Sequence, residues 1–559
     1  MEKGWTVKAS ISLATLLAFT IGLAVLLRVL NLGSREFWYD EVLSLALSTS
    51  QRSLYETPGD LPVALADLVP ALQLPVELSF GDGIQSLRRL LLSLTGGEPH
   101  PPLFFLAQHV WLRGFGAGEA AMRSLNTLLS LAAIASTYGL GRLLLGHLGG
   151  LTLAALLSVN PFFLFHSLNV RMYAPLVLWA TLSAWAMLHL TGWATPAPPT
   201  SEAAAPSIWQ RRAPWFWSLI LIASIAAGLM TFYLFFYWII TLAAIALFLD
   251  RRRWWQHGLR LTIGFLLTTP WLLWGFTKQL RNADLKRFNT ALGPIATTLR
   301  HLQDVLQTLG NHLVIGDWAT SLPPVIGIVD GIGVLLLLLT CLPQLRLQEQ
   351  RRLVGVALML GLLPMALALG VDILTGKFTV GFGWGRSLIF ILPGCLLLLM
   401  LAVRQLPPRW NNLALTGLLL IYLSSNIADY SLRSRQIFHG MAAMIQPPAP
   451  TLIVMNSKAW GHVLRLAYYL PSSPASFLLA QRSSDLASSL QQVLAANPRK
   501  YDRVLWLDSA APIWSPPSTE DERSTVAAVL ARSFKLIQAR ELTGTMEIDQ
   551  FTAQLYQRR

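Results

Sequence analysis

Charge is what this chain has least of. Asp, Glu, Lys and Arg make up 13% of its 559 residues, against about 25% in an average soluble protein. That excludes a disordered chain, a coiled coil and an ordinary soluble enzyme. Cysteine is nearly missing: Cys341 and Cys395 both lie inside apolar stretches, so free thiols and no disulfide framework are expected. No Cys/His spacing suits a metal site. No GxGxxG and no P-loop motif occurs, which disfavours a nucleotide-sugar donor or an ATP-driven step. Acidic residues are outnumbered, 29 against 43 Lys and Arg, for a net charge of +14. In a soluble chain that excess would suggest nucleic acid. Here the basic residues fall between apolar runs, so membrane topology accounts for them and no nucleic-acid partner is expected.

What the chain does have is apolar length. Hydrophobic residues reach 53% and mean hydropathy is +0.50, the composition of a multi-pass membrane protein. Runs without a charged residue occupy 9–27, 124–141, 149–165, 172–188, 261–277, 353–371, 387–403 and 411–428. The stretch 213–249 is long enough for two spans divided near 228–233, and another span ends in 334–342, giving eleven. The first run follows Lys3 and Lys8, lacks a small-residue cleavage site and is too long for a signal h-region, so it reads as a retained anchor. The segment 101–112 is uncharged but too short to span. It reads as an amphipathic helix, 101–115, on the outer surface, with His100 at its start.

With eleven spans and the N-terminus inside, the inner connections hold Arg142, Arg211, Arg212, Arg251, Arg252, Arg253, Arg260, Arg346, Arg351, Arg352, Arg404 and Arg409. The short outer ones hold only Arg171, Lys377 and Arg386, as the positive-inside rule requires. Outside then lie a first loop (28–123), a second (278–318), a short one (372–386) and the tail. The inner segment 192–212, rich in Pro, Ala and Thr, reads as a flexible linker. The expected fold is an all-α membrane domain, 1–430, with about eleven transmembrane helices, followed by a small extracytoplasmic α/β domain, 431–559. In the tail, 451–455 and 504–507 read as strands, and 458–470, 486–495 and 525–534 as helices.

Chemistry-bearing residues collect at the outer connections. Asp40 and Glu41 stand in NLGSREFWYDEVLS, just beyond the first span. An acidic pair in a wet loop is one reading; a general base, or a carboxylate pair holding a divalent cation above the bilayer, is the other. His100, in EPHPPLFF, is a helix cap or a site residue. Arg171, in NVRMY, either snorkels to the interface or clamps a phosphate with its guanidinium fork. Lys278, Arg281, Lys286 and Arg287 make the second loop basic, which fits a solvated long loop or an anion site at headgroup level. Arg386, in GWGRSLIF, can join that anion site.

The order of WYDEVLS, HPPLFFLAQHVWLRGFG, EAAMRSLNTLLSLAAIASTYGLGRLL and NPFFLFHSLNVRMYAP resembles the N-terminal half of the GT-C glycosyltransferases. It is most similar to bacterial members related to protein O-mannosyltransferases and lipid A aminoarabinose transferases. Such enzymes take a sugar from a polyprenyl-phosphate donor and place it on a lipid, glycan or protein acceptor outside the cytoplasm. The resemblance implies an inner-membrane glycosyltransferase, with Asp40 as the catalytic carboxylate, Glu41 its acidic neighbour, His100 at the HPP position, and Arg171 and Tyr173 in the RMY position. Two departures stand out. Asn169 replaces a Glu common two residues before that Arg, and Ser387 follows Arg386 where relatives often have Tyr. The rival class, a polytopic transporter or lipid flippase, tends to show repeated halves or a midplane charge cluster, and neither is visible here.

Overall fold

Apolar helices with polar connections account for most of this computed structural model, which describes residues 12–96, 98–193, 208–282, 293–433, 435–470, 476–513 and 515–559. The chain is a multi-pass membrane protein. Helix α1 (Leu13–Leu30) begins where the Ser12 hydroxyl accepts from the Thr15 amide. At 18 residues it is about 27 Å long, close to the thickness of a bilayer core. The first loop is built of helices rather than left as coil: α2 (Tyr39–Ser48), the short strand β1 (Val63–Ala64), α3 (Phe80–Leu94) and α4 (Leu103–Phe115). Helix α4 realises the expected amphipathic segment, but His100 lies before it, since the helix starts at Leu103 behind two prolines.

Helix α5 (Glu119–Val159) contains two of the expected spans. Gly146 breaks it with φ of 77°, a conformation that costs glycine little and other residues much. The two arms close against each other at Gly141 and Gly150, where a Cβ on Gly141 would come within 2.9 Å of the Gly150 Cα. The short α6 (Pro161–Ser167) and then α7 (Tyr173–Leu190), α8 (Ile208–Thr231) and α9 (Phe235–Leu249) follow. Helix α10 (Trp254–Leu266) is separated from α11 (Thr269–Trp271) and α12 (Thr277–Asn282) by a 45° bend. Helix α13 (Pro294–Gly310) lies in the second loop and is not apolar enough to span; the remaining membrane helices are α14 (Pro324–Leu339), α15 (Gln348–Thr375), α16 (Leu392–Val403) and α17 (Pro408–Leu432). Among the described residues, eight helices are long and apolar enough to cross a membrane, or nine if the bent pair forms one span. Reaching eleven requires counting both arms of α5 and the 15-residue α9.

The tail packs α18 (Ile437–Met444), β2 (Thr451–Met455), α19 (Trp460–Tyr469), β3 (Ser476–Ala480), α20 (Ser483–Ala496), β4 (Arg503–Ser509), α21 (Glu520–Ala531), β5 (Phe534–Thr543) and β6 (Gln550–Arg558). The sheet order is β1-β3-β2-β4-β6-β5; β3, β2 and β4 are parallel, the outer pairs antiparallel. Sequence reading found β2 and β4 as continuous apolar runs but missed β3, β5 and β6. It also carried the last helix through Phe534, which instead opens β5, an edge strand that is exposed along most of its length after the buried Phe534.

Two features blur the boundary placed at residue 430. Helix α17 continues to Leu432, and β1, from the first loop, completes the tail sheet by pairing Val63 with Leu478. Polar bonds reinforce this join. Arg35 pairs with Asp429 at 2.9 Å, Arg433 with Asp317 at 2.7 Å, and the Glu36 carboxylate accepts from the Phe438 amide at 3.0 Å. The first loop, the segment around Asp317 and the tail therefore share one face of the membrane domain. Arg404, at the far end of α16, lies instead beside Gly149 near the α5 break. The expected linker 192–212 falls largely outside the described residues.

Candidate active site

Helix α2 sets the geometry. Trp38 is its N-cap residue, and the Glu41 carboxylate reaches back to accept the Trp38 amide at 2.8 Å, as the N3 side of a capping box does. Asp40 and Glu41 then occupy the first turn. Consecutive residues of a helix project about 100° apart, so the two acids point into different surroundings.

Glu41 points into the protein and is 1% exposed. Its two oxygens accept from Arg123 at 2.9 and 2.7 Å, and one of them also accepts the Val170 amide at 3.0 Å. Asp40 points the other way, its side chain 16% exposed. Its Oδ2 lies 3.2 Å from an Arg386 Nη and 3.9 Å from the Arg171 Nε. Glu41 thus ties α2 to the loop that carries Arg171, and that loop is pinned from behind as Asn126 donates to the Arg171 carbonyl at 2.7 Å.

Arg386 arrives from a loop of unusual backbone. Gly383, Trp384 and Gly385 all have positive φ, at 58°, 59° and 88°. A Cβ at Gly383 would stand 2.3 Å from the Arg386 Nε, so the guanidinium can fold over this loop only where there is no side chain. Asn311 and His312 hold the turn by donating to the carbonyls of Trp384 and Gly385 at 3.1 and 3.0 Å. The guanidinium lies over the rings of Trp38, Tyr173 and Phe382 at 5.1, 5.8 and 5.5 Å, a cation–π enclosure. The Nε atoms of both Arg171 and Arg386 are buried and donate no hydrogen bond among the described residues. Arg171 donates to the Ser44 hydroxyl at 3.2 Å and is also hydrogen-bonded to the Tyr173 side chain.

His100 stands beside this group, stacked on Phe232 at 5.5 Å and hydrogen-bonded to the Glu98 carboxylate. Burial pushes the His100 ring below its ordinary 6.5 even with that carboxylate adjacent. Burial would raise the pKa of Glu98, but His100 outweighs it and holds the acid below its ordinary value. Both groups also feel the charges of Arg171 and Asp40.

The structure brings together Asp40, Arg171, Tyr173, Arg386 and His100. It does not bring Lys278 or Arg281 into contact with them. Both lie on α12, where Lys278 covers the Trp274 ring at 4.8 Å and Arg281 is exposed. The contacts of α12 to the first loop come from Gln279, which donates to the His100 carbonyl at 2.8 Å, and Asn282, which donates to the Thr95 carbonyl at 2.7 Å. Lys286 and Arg287 lie outside the described residues.

Residues 99–193 match the family model described as dolichyl-phosphate-mannose-protein mannosyltransferase. No curated protein matches the chain in sequence. Solved structures do. ArnT from Cupriavidus metallidurans bound to undecaprenyl phosphate aligns at 12% identity over 97% of this chain and 98% of its own, with a TM-score of 0.51. The Archaeoglobus fulgidus oligosaccharyltransferase in its apo form aligns at 11% identity over 97% of this chain and 81% of its own, with a TM-score of 0.50. Over nearly its whole length the chain shares the fold of these two solved structures.

In this fold the segment matched by the family model contains His100, Arg171 and Tyr173, whereas Asp40 and Arg386 lie outside it and meet them only in space. Sequence reading missed Glu98, although it stands two residues before the named histidine. It also missed Arg123, whose identity as the partner of Glu41 depends on a contact 82 residues apart in the chain. A divalent cation held between Asp40 and Glu41 does not fit this geometry. The Glu41 oxygens already accept four hydrogen bonds, and the two carboxylates face apart.

Proposed function

We propose that this protein transfers a sugar from a polyprenyl-phosphate donor to an acceptor at the extracytoplasmic face of the inner membrane, with inversion at the anomeric carbon. The observation that carries the reading is the Asp40 carboxylate facing two arginines, Arg386 at 3.2 Å and Arg171 at 3.9 Å, whose buried Nε–H groups find no acceptor among the described residues.

Sugar transfer from a lipid phosphate needs two things together. A base must take the proton of the acceptor hydroxyl as its oxygen bonds to the anomeric carbon. Cationic donors must receive the phosphate as the bond from that carbon to the phosphate oxygen breaks. Asp40 serves as the base. Arg386 and Arg171 hold the leaving phosphate, and Tyr173 and Trp38 fix the Arg386 guanidinium by their rings. Glu41 acts through position, since it anchors both α2 and the Arg171 loop. The donor's hydrocarbon tail stays in the bilayer while its phosphate meets this cluster at the membrane surface.

The test is sugar transfer by purified Asp40→Asn protein, shown to be folded and inserted, with binding of undecaprenyl phosphate measured beside it. Loss of transfer with binding retained supports the assignment. Transfer at the wild-type rate refutes Asp40 as base. A substrate carried across the membrane without any sugar transferred would favour the transporter class.

A further inference from the structure

A sizeable opening near the site belongs neither to Asp40 nor to the arginine pair. It is a cleft of about 470 Å³ between the first loop and the tail, bordered by Arg52, Tyr55 and Glu98 on one side and by Lys458, Trp460 and Arg482 on the other. Its position in the tail follows from topology. The chain passes from β2 to β3 on one side and then to β4 on the other, all three strands being parallel. The connections leaving β2 and β4 therefore diverge, and a crevice opens at the carboxyl ends of the strands, where open α/β sheets bind ligands. Lys458 follows the end of β2, Arg482 follows the end of β3, and the floor is completed by residues after β4. The sheet presents this crevice to the first loop, and Glu98, which feels the charges of Asp40 and Arg171, forms the wall on the side of the reaction site.

We propose that this cleft is the acceptor subsite and that it takes a saccharide bearing an anionic group, a phosphate or a carboxylate. The inference rests on the sugar-transfer reading and names its acceptor class. Three cations face the cleft. Arg482 is exposed and has no carboxylate partner among the described residues. Lys458 approaches only the exposed Asp60, at 3.9 Å, a solvated contact of little strength. Arg52 is held over the rings of Trp460 and Tyr55 at 4.5 and 5.0 Å, which orients its fork without neutralising it. Against them stands Glu98, already hydrogen-bonded to His100. The partly buried indole of Trp460 offers a flat apolar face for the C–H side of a sugar ring. A neutral acceptor would have no use for three cations, and neither would a purely hydrocarbon one.

The experiment uses the full chain in lipid nanodiscs and measures equilibrium binding of a disaccharide 1-phosphate, a uronic-acid disaccharide and a neutral disaccharide of the same size, with hexaglutamate as an acidic peptide. Binding of either charged saccharide at least tenfold tighter than the neutral one supports the proposal, and which one binds identifies the anion. Lys458→Glu and Arg482→Glu should each weaken that binding tenfold or more and leave undecaprenyl phosphate binding unchanged, and Trp460→Ala should weaken binding of all the sugars. Equal binding of charged and neutral disaccharides, unchanged binding in both charge-reversed variants, or tighter binding of hexaglutamate than of any saccharide overturns it. Because no turnover is read, a failure of Asp40 as base would leave this result standing, and the reverse.

Discussion

Arg123 and Arg386 each face one acid of the same pair, and they are built in opposite ways. Arg123 donates five hydrogen bonds, two to Glu41 and three to the carbonyls of Leu32, Arg35 and Glu36. Its every N–H direction is used, as a buried charge requires when its role is to hold structure. Arg386 is held by three aromatic rings and one approach to Asp40, with no side-chain hydrogen bond among the described residues. A guanidinium fixed in place by rings keeps its donors for something else. The lesson is that burial and ion pairing do not by themselves mark a site; a buried cation with unspent donors does.

The sharpest way to break this contrast is at the acids. Asp40→Asn keeps shape and removes the base, so turnover should fall roughly 10²- to 10⁴-fold, the span of general base catalysis, with little change in melting temperature. The comparison fails if the mutant melts at a markedly lower temperature and keeps its specific activity.

Arg123→Ala should do the converse. It leaves Glu41 buried without its partner, and breaking such a pair costs about 3–5 kcal/mol. Thermal unfolding in detergent reads this directly. A variant as stable as wild type would mean that the Arg123 network contributes nothing to the join between α2 and the Arg171 loop.

Arg386→Ala removes donors to the lipid phosphate and should weaken undecaprenyl phosphate binding by about 1.5–3 kcal/mol, the worth of charge-assisted hydrogen bonds. Arg386→Lys should recover part of the affinity, since it restores charge without the fork. Unchanged donor binding in both would move the phosphate away from this cluster.

The smallest effect concerns His100. Its folded pKa is depressed by burial below the ordinary 6.5, so its contribution to stability is present above that value and is lost as pH falls through the folded pKa. His100→Gln should therefore flatten the decline in melting temperature below about pH 6.5. An identical decline in both proteins would assign the acid sensitivity elsewhere.

Much of this was readable residue by residue. The apolar runs foretold the helices because a bilayer demands continuous apolar length, whatever the partner helices are. Motif order singled out Asp40, Arg171, Tyr173 and Arg386. The basic second loop was harder to read for a physical reason: positive charge near a membrane surface is selected by topology and headgroups as well as by ligands, so its sequence leaves both readings open; α12 places Lys278 over the Trp274 ring and leaves Arg281 exposed.

By itself the sequence determined the elements: where the helices lie, that two acids begin α2, and that glycines flank Trp384 just before Arg386. Those follow from local hydrophobicity, capping and backbone sterics, which act within a few residues. Only the tertiary structure decided which acid faces which arginine, that β1 of the first loop completes the tail sheet, and that the carboxyl ends of β2, β3 and β4 open toward Glu98. Those outcomes depend on pairings between segments tens to hundreds of residues apart, whose energies exist only after packing has excluded water from between them.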